Sequence, residues 1–360
     1  MSPLRIVIAG GGTGGHLYPG IAVAREVLRR RSDATITFAG TARGLEARVV
    51  PKEGFVLDVL RSAGLKGMSP AAVGRGLALL PVSALDAWRI LSRRSPHLVI
   101  GVGGYSSGPV VAAAALRRLP TLLLEQNAVP GFTNRLLAPV ITAAAVTFDS
   151  TVGYFGRRGF VAGNPVRPEF FSEGEYRGPS VPPRILIFGG SQGSHAINVA
   201  MVEAAPGLAA LDGGVAITHQ TGDRDLELVR GAYARAGIDA RVEPFLFAMH
   251  REIGGADLIV CRAGATTISE LTAAGRPSVL VPLPTAADDH QRKNAEVMRD
   301  AGASDLLEQK DLTGTALAQR IAELVRDPTR LREMAAVARR LARPDAARTI
   351  VDRALELAAR

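Results

Sequence analysis

Residues 5–16 read RIVIAGGGTGGH, and 179 residues further on, residues 184–195 read RILIFGGSQGSH, with seven of the twelve positions identical. Each copy runs from a short apolar stretch through a glycine cluster into a pattern of helical period. That is how a parallel strand ending at the mouth of an α/β sheet is written, with a helix beginning just beyond it. A chain carrying this unit twice is expected to fold as two Rossmann-like halves. Its 360 residues suffice for two domains of roughly 150–200 residues, each large enough to bury a core.

The rest of the chain keeps the same alternation. Apolar strand-type runs at residues 6–9, 35–39, 98–102, 121–124 and 143–148 alternate with helical patterns, and the second half repeats this at 185–188, 215–219, 241–245, 258–261 and 279–281. Strands spaced by helices predict parallel sheets covered on their faces. Proline and glycine interrupt the pattern at 163–168 (GNPVRP) and 178–183 (GPSVPP), which puts the domain boundary near residues 165 and 166. Helical patterns fill residues 313–341, and Pro344 marks a break before a last helix over about 344–360, which is expected to pack back on the first domain.

Composition bounds the surroundings. Cys261 is the only cysteine, so no disulfide forms within the chain and a reducing compartment is expected. There is no secretory signal and no uninterrupted run of about 18 apolar residues, so the chain is expected not to span a membrane, though it can lie on one. Residues 1–165 hold 19 Lys and Arg against 8 Asp and Glu, while the remainder holds 24 against 26. A basic half beside a near-neutral half suits an anionic surface or ligand. Nucleic acid is not the expected partner: zinc-ligand spacing, a basic helix-turn-helix and an aromatic RNA-binding motif are all missing, and aromatic residues make up 5% of the chain.

Gly10, Gly12 and Gly15 satisfy G-x-G-x-x-G after a strand, the form of a dinucleotide loop. That fingerprint also needs an acid closing the second strand, where this chain has Ala39, Gly40 and Thr41. Neither loop carries the Gly-Lys-Ser/Thr of a nucleoside triphosphatase. Both are expected to offer backbone N–H groups and a helix dipole to a diphosphate or a developing anion. A third glycine group, GVGGYSSG at 101–108, follows another strand and should shape the same cleft.

Three polar groups stand at strand ends. Glu125, Gln126 and Asn127 follow the run at 121–124, with Asn134 further on; helix capping would equally place Asn127. Residues 261–270 (CRAGATTISE) follow a buried-type strand and open a helix. Its N-terminus could hold a phosphate and Glu270 a ribose diol, with a Thr267–Glu270 capping box as the alternative. Residues 288–295 (DDHQRKNA) offer imidazole and amide groups suited to sugar hydroxyls, and Asp288, Asp289 and His290 alone make a poor metal set.

Seven motifs resemble, in order and spacing, the MurG family of UDP-N-acetylglucosamine-dependent transferases of peptidoglycan synthesis. They are GGTGGH with YPG at 11–20, GGYSSGP at 103–109, EQNAVPGFTNRLL at 125–137, GNPVR at 163–167, GGSQGS at 189–194, CRAGATTISE at 261–270 and HQ with NA at 290–295. The resemblance implies a GT-B fold: two Rossmann-like domains with parallel sheets facing across a cleft. The acceptor domain would be 1–165, joined by the last helix, and the donor domain 166–343. It implies donor contacts at Thr13, Gly14, Gly15, Asn127, Arg167, Ser191, Arg262, His290 and Gln291, with Glu270 on the ribose. Leu246 and the turn from Gly264 through Ala265 and Thr266 would frame the uridine and diphosphate. Tyr105 and Asn134 would lie on the acceptor side. Three places depart from the family pattern: His195, the pair Phe247–Ala248, and His290.

The implied reaction is inverting transfer of GlcNAc from UDP to the C4 hydroxyl of muramic acid in lipid I, giving lipid II. It needs a base on the hydroxyl, worth roughly 10²–10⁴-fold, and stabilisation of departing UDP. His16 is the expected base, since its ordinary pKa near 6.5 leaves it neutral at pH 7, and Glu125 is the rival. Helix N-termini at Ser191 and Ala265, with Arg262, are expected at the diphosphate. No metal or other cofactor is implied. The lipid acceptor implies a peripheral position on the cytoplasmic face of the cell membrane, with cell-wall synthesis and division proteins as possible partners. Residues 64–94 suit an interfacial element, with Leu77, Leu79, Leu80, Val82, Leu85 and Trp88 flanked by Lys66, Arg75, Arg89, Arg93 and Arg94. A helix–sheet contact explains its apolar residues equally well. The other readings are a different GT-B enzyme (a glycolipid glycosyltransferase or UDP-GlcNAc 2-epimerase), an NAD-dependent oxidoreductase, and a non-catalytic UDP-sugar sensor.

Overall fold

The computed structural model describes residues 3–62, 70–172 and 174–359, with no side-chain description for 70–78. The chain divides into two compact units, one made of Met1–Val166 with Arg343–Arg360 and the other of Arg167–Ala342. Each is a parallel sheet with helices on both faces.

In the first unit the strands are β1 (Arg5–Gly10), β2 (Thr35–Gly40), β3 (Val56–Val59), β4 (Leu98–Gly103), β5 (Thr121–Glu125), β6 (Ala143–Val146) and β7 (Gly159–Val161). They are parallel throughout, in the order β3-β2-β1-β4-β5-β6-β7. The helices between them are α1 (Gly14–Arg30), α2 (Glu46–Lys52), α3 (Pro70–Arg94), α4 (Ser107–Leu116) and α5 (Phe132–Leu137). Central strands such as β4 are buried along their whole length, which is why they read as continuous apolar runs. The short edge strands β3 and β7 lack that signal and escape the sequence pattern.

In the second unit β8 (Arg184–Phe188), β9 (Ala216–Gln220), β10 (Asp239–Glu243), β11 (Leu258–Cys261), β12 (Ser278–Leu280) and β13 (Ser304–Leu306) pair in the order β10-β9-β8-β11-β12-β13. Its helices are α6 (His195–Ala209), α7 (Leu226–Ala236), α8 (Met249–Gly255), α9 (Ala265–Ala274), α10 (His290–Asp300), α11 (Gly314–Val325) and α12 (Pro328–Leu341). The long helical pattern at 313–341 is two helices because each has its own cap. Thr313 Oγ1 accepts from Ala316 N at 3.1 Å, and Asp327 Oδ1 accepts from Arg330 N at 2.9 Å with Pro328 at the first helical position.

A last helix, α13 (Ala346–Ala358), belongs to the first unit and packs along α1. Ile350, Val351, Ala354 and Leu357 are buried in the core beside Val23, Ala24 and Val27. Burying a large aliphatic side chain contributes about 1.5–3 kcal/mol, so this stripe, with an ion pair from Arg30 to Asp352, ties the chain's last helix to its first.

Candidate functional site

In both sheets the strand order reverses beside the strand that carries a glycine loop, between β1 and β4 and between β8 and β11. α/β proteins bind ligands at the carboxyl ends of the strands flanking such a reversal. Of the residues singled out from the sequence, those from Thr13 to His16 and Tyr105 follow β1 and β4, and Ser191 and those from Arg262 to Glu270 follow β8 and β11; Glu125, Asn127 and Asn134 lie at or after the end of β5, Leu246 after β10, and His290 and Gln291 after β12.

In the first unit, the loop after β1 packs against the loop after β4. A Cβ on Gly10 would sit 2.5 Å from Gly103 O, and one on Gly104 would sit 2.5 Å from Gly11 O, so glycine is required on both sides of this contact. Thr13 is the exposed N-cap residue of α1, and Gly14, Gly15 and His16 form its half-buried first turn. The His16 ring lies against Gly103, where a Cβ would meet Nδ1 at 2.7 Å. His16 Nδ1 is 3.1 Å from Gln126 Oε1, and Gln126 Nε2 donates to Val102 O at 3.2 Å. Tyr105, exposed in the loop after β4, lies beside Gly12.

Glu125, at the end of β5, is only 3% exposed. Its Oε1 accepts from Asn127 N at 3.0 Å and Asn127 Nδ2 at 3.3 Å, and its Oε2 from Gly131 N at 3.1 Å and Asn134 Nδ2 at 2.8 Å. Four donors converge on one carboxylate, which braces the 127–131 loop and α5. The N-cap of α5 is Gly131, so Asn127 does not cap that helix.

The fully buried Glu46 was not singled out from the sequence. Its Oε2 accepts from Gly12 N at 2.7 Å, and its Oε1 accepts from Thr41 N at 2.9 Å and Thr41 Oγ1 at 2.8 Å. Burial pushes its carboxyl up, but the hydrogen bonds from Gly12 and Thr41 outweigh this and hold it below the usual carboxylate range. The acid missing at the end of β2 is thus supplied from α2, and it is bound to the loop itself. The expectation that both glycine loops offer their N–H groups to an outside anion fails at Gly12. Nothing in the sequence around Glu46 marks it, because no spacing rule encodes its bonds to Thr41, five residues before it, and to the Gly12 backbone, 34 residues before it.

In the second unit, Arg262 follows β11 and reaches across the reversal. Its Nη1 donates to Val281 O at 3.1 Å and Pro282 O at 3.0 Å, and its Nη2 to Ser194 Oγ at 2.8 Å and Gln309 Oε1 at 2.7 Å. These acceptors are all neutral. Burial pulls its pKa down from the ordinary arginine value. Beside it α9 begins at Ala265 with Gly264 as N-cap, and Thr266 Oγ1 is buried without a hydrogen-bond partner among the described residues. Because Gly264 is the cap, the Thr267–Glu270 capping box is not formed. Glu270 is half-buried; desolvation raises its pKa to about 7 against the opposing pull of Arg167. The exposed Arg167 packs its guanidinium 5.2 Å from the ring of buried Phe170.

Ser191 is exposed in the loop after β8. The N-terminus of α6 lies at His195, with Ser194 as N-cap, so Ser191 is not at the helix start as expected from the sequence. The glycine turn inserts extra residues before helical dihedrals begin. Gln220, at the end of β9, joins this loop to the next: its Nε2 donates to Gly190 O at 2.7 Å, and its Oε1 accepts from Leu246 N at 2.9 Å. Leu246 is buried, while Phe245 and Phe247 on either side are exposed and stack edge to face with centroids 5.0 Å apart. His195 Nδ1 lies 3.0 Å from Asp225, which also accepts from Asn198. At the start of α10, His290 Nδ1 donates to Ala287 O at 2.6 Å, and Gln291 Oε1 accepts from Leu283 N at 3.0 Å.

Of the interfacial stretch, Lys66 and the side chains of Arg75 and Leu77 lie outside the described residues. Leu79 and Val82 are half-buried, whereas Leu80, Leu85 and Trp88 are exposed on α3, with Leu116 exposed at the end of α4. Arg117 lies 5.2 Å over the Trp88 ring. Arg93 and Arg94 both close on the buried Asp58, which balances one of their two charges. No helix among the described residues is long and apolar enough to cross a membrane.

Residues 6–146 match the glycosyltransferase family 28 N-terminal domain and residues 184–350 the family 28 C-terminal domain, which defines the class as a two-domain glycosyltransferase. The chain is 48% identical to the UDP-N-acetylglucosamine–N-acetylmuramyl-(pentapeptide) pyrophosphoryl-undecaprenol N-acetylglucosamine transferase of Anaeromyxobacter sp. (strain K), over 99% of this chain and 94% of the relative. It is 44% identical to the enzyme of the same name from Geobacter sulfurreducens, over 97% of each. The crystal structure of Acinetobacter baumannii MurG superposes with a TM-score of 0.83 at 31% identity, covering 98% of this chain and all of that one. The chain belongs to the MurG family, and its fold is the α/β GT-B type expected from the resemblance.

Proposed function

We propose that the chain transfers GlcNAc from UDP-GlcNAc to the C4 hydroxyl of the muramic acid in lipid I, with inversion, forming lipid II. The observation that carries the donor side is Arg262, a partly buried cation whose hydrogen bonds among the described residues all go to neutral acceptors, where the loops after β8 and β11 meet. A diphosphate there gains a charged partner, N–H groups at the start of α9 and the hydroxyl of Thr266. Glu270, one to two turns into α9, accepts from the ribose hydroxyls, and Leu246 frames the uracil. Ser191, Arg167, His290 and Gln291 complete the donor contacts of the second unit. Thr13, Gly14, Gly15 and Asn127 make those of the first.

His16 takes the proton of the acceptor hydroxyl as the new glycosidic bond forms and the bond to UDP breaks. Glu125 braces the loop from Asn127 to Gly131, since four N–H donors already saturate it. Tyr105 and Asn134 stand on the acceptor side. Leu80, Leu85, Trp88 and Leu116, with Arg89 and Arg117, meet an anionic membrane surface peripherally on its cytoplasmic face.

The test is incubation of the purified protein with radiolabelled UDP-GlcNAc and a short-chain lipid I analogue, following labelled lipid and UDP release. Transfer requiring both substrates, and lost in His16→Ala, is the expected result. UDP-GlcNAc binding without label transfer would remove the acceptor assignment.

A further inference from the structure

A neutral imidazole carries one N–H, and its second ring nitrogen decides whether it can accept a proton from substrate. At His16 that choice is made by a residue the reaction scheme has not used. Gln126 is 3% exposed at the end of β5. Its amide nitrogen must face Val102 O, because two carbonyl oxygens cannot share a hydrogen bond, and this turns Oε1 toward His16 Nδ1 at 3.1 Å. A carbonyl oxygen only accepts, so Nδ1 carries the hydrogen and the lone pair lies on Nε2. Gly103 closes the other face: any side chain there would strike the ring.

We propose that Gln126 is a positioning residue that holds His16 in the Nδ1–H tautomer through a neutral amide, where a carboxylate would make an ion pair. It rests on the reading of His16 as base. In the transfer step Nε2 gains the proton of the acceptor hydroxyl, whose oxygen bonds to the anomeric carbon, while the carbon–oxygen bond to UDP breaks and its electron pair leaves on the diphosphate. The resulting imidazolium has hydrogen on both nitrogens and a partner at Nδ1 that does not bind the positive charge strongly. A carboxylate in place of the amide would stabilise that imidazolium and raise the pH at which it loses its proton.

The described carboxylates on the elements around the first turn of α1 are engaged elsewhere. Glu46 is committed to Gly12 and Thr41, and Glu125 to Asn127, Gly131 and Asn134. Tyr18 and Tyr105 are phenols beside Gly14 and Gly12. The charged contact of α13 with α1 is at the far end, at Arg30.

Nitrogen-15 NMR of histidine-labelled protein reads the tautomer directly, and the expected wild-type pattern is protonated Nδ1 with unprotonated Nε2. In Gln126→Glu the His16 titration should move up by about one unit or more, carrying the acid limb of the kcat/KM profile with it. In Gln126→Leu kcat should fall at least about tenfold with the KM for UDP-GlcNAc unchanged. An Nε2–H wild type overturns the proposal, as does an unmoved His16 titration in folded Gln126→Glu. A titration that moves while the rate profile stays fixed leaves Gln126 as the partner of His16 and removes His16 as the base.

Discussion

The two glycine loops share a twelve-residue pattern, yet the charges behind them are opposite. Under the loop after β1 lies the carboxylate of Glu46, already bound to Gly12 N–H. Beside the loop after β8 lies the guanidinium of Arg262, bound to Ser194 and three other neutral acceptors. A diphosphate approaching the first loop would meet a negative charge where the N–H would be; approaching the second, it would meet a cation whose hydrogen bonds among the described residues go to neutral groups. Glycine supplies the close backbone approach in both, and on the proposed placement of the donor the buried charge decides which of two similar loops takes the anion. Backbone shape therefore underdetermines the ligand.

The strongest way to break this contrast is to remove the cation. Arg262→Gln keeps a hydrogen-bonding side chain but loses the charge proposed to face the departing diphosphate, so kcat should fall by roughly 10²–10³-fold, as when a preorganised oxyanion donor is removed. Steady-state kinetics with the lipid I analogue measure it. A loss of threefold or less would mean that the N-terminus of α9 stabilises UDP without help.

The second way is to neutralise the anion. Glu46→Gln keeps the shape but presents an NH₂ to one of three donors, leaving buried groups mismatched at a cost of about 1–3 kcal/mol. A lower urea midpoint at pH 7 is expected, with the KM for UDP-GlcNAc changed less than in Arg262→Gln. The folded carboxyl lies below its unfolded value, so its contribution is full above the ordinary carboxylate range and is lost as pH falls through the folded value. The stability gap between wild type and variant should close in acid. A gap that persists there would show that the side chain acts by packing alone.

The repeated strand–loop–helix unit and the buried parallel strands were readable because they are local: period, apolar run and glycine lie next to one another. So were the positions of Arg262 and Glu270 relative to the start of α9. The edge strands β3, β7 and β13 were not readable, being three or four residues long without a distinctive apolar pattern. Neither was the work of Glu46, Gln126 and Gln220. Each holds backbone or ring atoms 5 to 110 positions away, and no spacing rule encodes such a bond. Ser191 was misplaced at a helix start for a related reason, since the length of a glycine turn depends on what packs beneath it.

The smallest effect expected sharpens the contrast within the second unit. Glu270 puts an acid on the helix whose start is proposed to face the diphosphate, so the two ends of one donor would be read by opposite charges. Desolvation raises its pKa to about 7, from 4.5 for an ordinary glutamate. Folding therefore favours the protonated form, and the ionised carboxylate costs stability that grows as pH rises from the unfolded value through the folded one. Without donor, Glu270→Gln should melt a few degrees above wild type near pH 8 and at nearly the same temperature near pH 4, below the unfolded value. The same variant should bind UDP-GlcNAc more weakly near pH 8, because an amide is a poorer acceptor than a carboxylate for two ribose hydroxyls. Higher stability with lower affinity is the signature of a charge kept for its ligand. A variant that loses stability at both pH values would instead make Glu270 part of the unit's framework, and the ribose would need another partner.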